Sequence, residues 1–200
     1  MRLLRSLPAL GLLLLIAFAA PPPALAADDA GSFIAQAADS VLNLARDKSL
    51  SQQQFKEKLG QIADADFDVP KIAQFVLGRY WRTASEPERQ QFVQAFRAYM
   101  VQVYAERFRQ YSGSKFKVTG QHTEGNTAVV TTQIEQPGGK EPAKVIWQVG
   151  KAGGGYKITD VSIEGISQAL TYRQEFGSVI EQNSGRVSAL TQQLLQKASG

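Results

Sequence analysis

The sequence predicts an α+β fold, with N-terminal and C-terminal helices packed on one face of a curved antiparallel sheet of about four strands and enclosing an apolar cavity. Two observations carry the architecture. The spacing of apolar residues changes from helical to two-residue near position 111 and returns to helical near 163. Turn-forming clusters divide the middle block at hairpin intervals. A third observation, an aromatic excess on one long helix, points to the cavity.

The elements follow in order. Residues 1–26 read as a secretory signal peptide: Arg2 and Arg5 precede an apolar run over residues 12–20, Pro21, Pro22 and Pro23 close it, and Ala24-Leu25-Ala26 offers a small-residue cleavage site. The run is too short for a spanning helix, which needs about 20 apolar residues, and no cysteine stands at the cleavage site to take a lipid. One domain is then expected over residues 27–200, with 20 basic and 18 acidic side chains. Phe33, Ala37, Val41 and Leu44 recur at helical spacing, and Ser51-Gln52-Gln53-Gln54 forms a capping box that opens a second helix bearing Phe55, Leu59 and Ile62. Asp68 caps a short third helix, with Pro70 in its first turn and Gly78 at its end. Ser85-Glu86-Pro87-Glu88 starts a long helix over residues 86–111, stopped by Gly113. Strands follow around Phe116 and Val118, around Ala128, Val130 and Ile134, around Val145, Trp147 and Val149, and around Tyr156 and Ile158. Glu124-Gly125-Asn126, Pro137-Gly138-Gly139 and Gly153-Gly154-Gly155 turn between them. Helical spacing resumes with Ile166, Leu170, Phe176 and Ile180, pauses at Asn183-Ser184-Gly185, and ends with Val187, Leu190 and Leu194.

Composition excludes much chemistry. With no cysteine and His122 as the single histidine, thiol nucleophiles, zinc-finger sets and multi-histidine metal sites are absent. The net charge of +4 is spread through the chain without a basic block, so nucleic acid is not an expected partner. His122 has no nucleophile patterned beside it. Asp64, Asp66 and Asp68 alternate without the glycine and distal glutamate of a calcium loop. Gly153-Gly154-Gly155 lacks the Lys-Ser/Thr of a phosphate loop. The chain is not expected to be an enzyme.

Nine of the seventeen aromatic residues beyond position 26 fall between Phe75 and Tyr111. On the long helix Phe92, Phe96, Tyr99 and Val103 form one row and Met100, Tyr104, Phe108 and Tyr111 a second, so the apolar arc is wider than the roughly 100° of an ordinary surface helix. A large core helix accounts for that pattern. So does a helix whose rows diverge around an apolar ligand, with Val130, Val145 and Trp147 of the sheet as the far wall. Arg97 and Arg107 lie inside the arc, where each guanidinium can sit at a phosphate-binding rim or pair with Glu106 or Glu175.

Phe67-Asp68-Val69-Pro70-Lys71-Ile72-Ala73, Val76-Leu77-Gly78-Arg79-Tyr80-Trp81-Arg82, residues 92–104, Val161-Ser162-Ile163-Glu164-Gly165-Ile166-Ser167 and Tyr172-Arg173-Gln174-Glu175-Phe176 resemble the MlaC, or toluene-tolerance, family of periplasmic phospholipid-binding proteins. The resemblance spans residues 38–195. It implies a periplasmic carrier, exported by its cleaved signal peptide, that holds the acyl chains of a phospholipid or related lipid, in some relatives linked to hopanoid pathways. The implied partners are an inner-membrane ABC transporter with an MCE-domain subunit and an outer-membrane lipoprotein complex; no cofactor or metal is implied, and a monomer is expected. On this reading Trp81, Phe96, Met100, Val103 and Tyr104 line the tails together with Phe108, Val130, Trp147, Tyr172 and Phe176, and Arg97, Arg107 and Arg173 form the head-group rim. Two further readings fit the same residues: an exported adaptor that binds proteins through an aromatic groove, and an enzyme for a small apolar substrate on a cone-shaped α+β fold.

Overall fold

Side-chain caps fix where most helices begin. The computed structural model describes residues 29–108, 113–135 and 141–199; the signal segment, Tyr111 and the Pro137-Gly138-Gly139 turn lie outside them. Asp29 accepts from the Ser32 N–H and opens α1 (Ala30–Arg46). At α2 (Gln52–Asp66), Ser51 accepts from the Gln54 N–H at 3.2 Å while the Gln54 side chain accepts from the Ser51 N–H at 2.9 Å. Asp68 caps α3 (Val69–Leu77), which stops at Gly78. A single-turn helix, α4 (Tyr80–Thr83), precedes α5 (Glu86–Phe108). The Glu88 carboxylate accepts from the N–H and hydroxyl of Ser85 at 2.9 and 2.7 Å, the reciprocal box expected there.

Strands β1 (Lys115–Glu124), β2 (Thr127–Glu135), β3 (Ala143–Ala152) and β4 (Gly155–Ile163) form an antiparallel meander, joined by a two-residue β5 (Ile166–Ser167). Register places Val130, Trp147 and Val161 in one row across three strands. Register shifts leave Thr119 of β1 and Thr159 of β4 without a cross-strand partner, bulges of the kind that bend a strand. The fifth strand differs from expectation. Glu164 and Gly165 have φ values of 49° and 81°, a tight turn that folds Ile166 back to pair with Ile163. Ile166 is therefore an exposed strand residue, and the helix begins two positions later, with Ser167 capping α6 (Gln168–Gln182) through the Leu170 N–H. The chain ends with α7 (Val187–Ser199).

Three apolar clusters hold these elements. The largest joins α3, α5, α6 and α7 around Phe92, Phe96, Tyr172 and Phe176, whose rings meet at centroid distances of 5.4 to 6.2 Å, mostly edge to face. A second lies between α1 and the sheet around Ile34, Val130, Val149 and Ile158. A third joins α1, α2 and the C-terminal half of α5 through Leu44, Phe55, Leu59 and Ala105.

Phe176 is 4% exposed and touches four aromatic rings. Phe176→Ala is expected to lower unfolding free energy by about 3–5 kcal/mol in urea titrations followed by circular dichroism; a loss under about 1 kcal/mol would show that the ring cluster is not a packed core.

Candidate functional site

The three clusters do not merge. Between them lies a cavity of about 260 Å³, more than tenfold the roughly 10–15 Å³ that one water requires. Each cluster supplies a wall: Ile72, Phe96 and Met100 from the helical core, Phe116, Trp147 and Ile158 from the sheet core, and Val41, Ile62 and Tyr104 from the third. Along α1, Ala37, Ala38 and Ala45 face the space, and their short side chains leave it open. The Trp147 indole N–H donates to the Thr132 hydroxyl at 2.9 Å, and that hydroxyl donates to the Val145 carbonyl at 3.1 Å. With its polar atom satisfied inside the sheet, Trp147 turns only ring surface to the cavity.

Few polar groups reach the wall. Arg97 grips Asp64 in a bidentate pair, both contacts 2.6 Å, and this pairing holds its guanidinium firmly charged. Gly60 permits it: a Cβ there would lie 2.8 Å from Arg97 Nη2. Asp160 is also consumed, its oxygens accepting from the Val161 and Ala169 N–H groups and the Ser167 hydroxyl at 2.8, 3.0 and 2.6 Å. The Tyr104 and Tyr172 side chains influence one another, and burial raises both above the ordinary tyrosine range. The Arg107 guanidinium lies 5.8 Å from the Tyr104 ring and has no ion pair among the described residues. Arg107, Tyr104 and Tyr172 thus form a polar corner of the wall, which Gln168 also lines. Asp66, at the C-terminal end of α2, also lines the wall; burial raises its pKa, partly offset by Lys157.

Of the residues singled out from sequence, Phe96, Met100, Tyr104, Phe108, Trp147 and Tyr172 line the cavity, as do Arg97 and Arg107. Val130 and Phe176 are buried within the sheet and helical cores, Val103 is half-buried off the wall, and Trp81 packs on the helical core near an outer cleft. Arg173 also lies at that cleft, against the Phe75 ring. On the long helix Phe92 and Tyr99 pack on α6, Met100, Tyr104 and Phe108 face the cavity, and Phe96 does both. The walls contributed by α1 and α2 have no distinctive sequence signature beyond an alanine-rich helix face.

Fold and cavity together define a class: a helix-and-sheet domain built around an apolar chamber. Residues 35–196 match the family model described as MlaC protein, and the chain belongs to the MlaC family. Its fold is similar to that of a phospholipid-binding protein from Ralstonia solanacearum, solved in complex with a phospholipid, with a TM-score of 0.75 and 24% identity over 86% of this chain and 97% of that one.

Asp66 gives the cavity wall a pH signature. A raised folded-state pKa means that folding favours the neutral acid, so its stabilising contribution is full below the unfolded value near 3.8 and is lost as pH rises through the higher folded value. The adjacent helix C-terminus also disfavours the carboxylate. Asp66→Asn is therefore expected to raise the urea midpoint at pH 7 and leave it unchanged near pH 3; an equal effect at both values would remove ionisation as the cause.

Proposed function

We propose that this chain is a periplasmic lipid carrier that holds the acyl chains of a phospholipid or related lipid in the cavity and shuttles them between an outer-membrane lipoprotein complex and an inner-membrane ABC transporter with its MCE-domain subunit. The observation that carries the reading is the apolar chamber with a polar corner. Family membership supports it, and so does the likeness in fold to a protein described as phospholipid-binding. Export by cleavage of the signal segment after residue 26 belongs to the same proposal.

The energetics explain why such a protein is needed. Two tails with about thirty methylenes would cost roughly 24 kcal/mol to expose to water, at about 0.8 kcal/mol each. A carrier lowers that barrier by moving the tails from one apolar environment to another. In the proposed arrangement Phe96, Met100, Phe108 and Trp147 contact the tails, while Val130 and Phe176 support the walls from behind. Tyr104, Tyr172 and Arg107 form the corner nearest the head group, where Arg107 is free to meet a phosphate. Arg97 keeps Asp64 as its partner and shapes the wall.

The test is direct. The mature chain is purified without detergent, extracted with organic solvent and analysed by mass spectrometry, with near-stoichiometric lipid expected and a lipid-free folded protein contradicting the reading. Ala38→Phe combined with Ala63→Phe places two rings in the space; it is expected to lower bound lipid roughly tenfold, equivalent to about 1.4 kcal/mol, without lowering the thermal midpoint. Unchanged occupancy in that double variant would place the lipid elsewhere.

A further inference from the structure

Two segments that carry the family resemblance, residues 76–82 and 172–176, reach the cavity only through Tyr172. Their other polar residues meet on the outside of the helical core. Gly78, Arg79, Trp81, Arg82 and Arg173, with Gln74, line an open cleft between α3, α4 and α6 that shares no residue with the cavity.

The cleft is assembled by specific contacts. Gly78 has φ 55°, and a Cβ there would lie 3.1 Å from the Arg173 guanidinium carbon, so both its backbone conformation and the approach of Arg173 require glycine. Arg173 is held over the Phe75 ring at 4.9 Å and donates to the Phe75 carbonyl at 3.2 Å. Arg79 donates to the Tyr80 hydroxyl at 2.8 Å and pairs with Glu181. The Arg82 guanidinium has no hydrogen bond or ion pair among the described residues. Three guanidiniums thus line one cleft, with Glu181 the one carboxylate paired to any of them among the described residues. Such a surplus repels itself unless an anion joins it.

We propose that this cleft is a second ligand site, separate from the lipid cavity, that binds a phosphate group among Arg79, Arg82 and Arg173. Guanidinium forks match phosphate oxygens in pairs. A phosphate monoester, at roughly −1.5 to −2 charges, meets the local surplus, and a phosphodiester head group, at about −1, meets part of it while still offering two oxygens to the guanidinium forks. The phosphate can belong to a bilayer head group or to a soluble phosphate ester, and the experiment separates the two.

The mature chain, with its copurified lipid in place, is titrated calorimetrically with inorganic phosphate and cosedimented with vesicles of phosphatidylcholine, with and without phosphatidylglycerol. Arg82→Gln is the main variant because its side chain is exposed and unpartnered, which spares the fold; Arg173→Gln is the second. Each is expected to bind the responding probe about tenfold more weakly, and Arg82→Gln to keep the wild-type amount of bound lipid. Cosedimentation that requires phosphatidylglycerol and weakens in both variants supports the site with a head group as its source. Saturable binding of inorganic phosphate without vesicle preference supports it with a soluble ester. No binding of either probe, binding unaltered in both variants, or capture of a polyglutamate peptide in preference to both probes would overturn it.

Discussion

Everything about this fold turns on three apolar clusters that are each well packed and yet stay apart. The helical core is held by ring contacts among Phe92, Phe96, Tyr172 and Phe176, three of them near-perpendicular. The sheet core is held by register and by α1, and the third by the seam of α1, α2 and α5. Where they face one another, the alanines of α1 cannot bridge the gap. This partly open cavity of about 260 Å³ leaves its apolar lining without packing partners on one side. An apolar ligand that fills it supplies those partners, which couples occupancy to stability.

Polar groups are arranged so that the chamber holds its contents without a dense hydrogen-bond network. Arg97 is spent on Asp64, Asp160 on the start of α6, and the Trp147 N–H on Thr132. Asp160 and the Trp147 N–H, both half-buried, would otherwise demand a partner from the ligand, while Arg97 and Asp64 stay partly exposed to solvent. What remains is the corner of Arg107, Tyr104 and Tyr172. Binding by apolar area with one polar contact suits a ligand that has to leave again, since release does not require many directed bonds to break together.

Much of this was legible in the sequence because local chemistry dictates it. The Ser51 and Ser85 boxes, the Asp68 cap and the two-residue turns depend on residues a few positions apart, and these elements form where the spacing placed them. The two rows of α5 were visible for the same reason. Depth was not. Alternation puts Val130 and Trp147 on the same sheet face but cannot say that one is sealed against α1 while the other meets open space. The Arg97 partner lies 33 residues away, beyond any helical count, so Glu106 and Glu175 stood in for Asp64. Alanines at 37, 38 and 45 matter through the volume they do not occupy, which no periodicity reports.

The most direct measurement of the central claim is photocrosslinking with a phospholipid that carries a diazirine at the end of one acyl chain, followed by peptide mapping. Adducts are expected on inward-facing positions such as Val41, Ile62, Met100 and Trp147. Adducts confined to the exposed apolar residues Phe75, Ile166, Leu170 and Leu195 would contradict it, because they would place the tails on the surface and leave the chamber without a ligand.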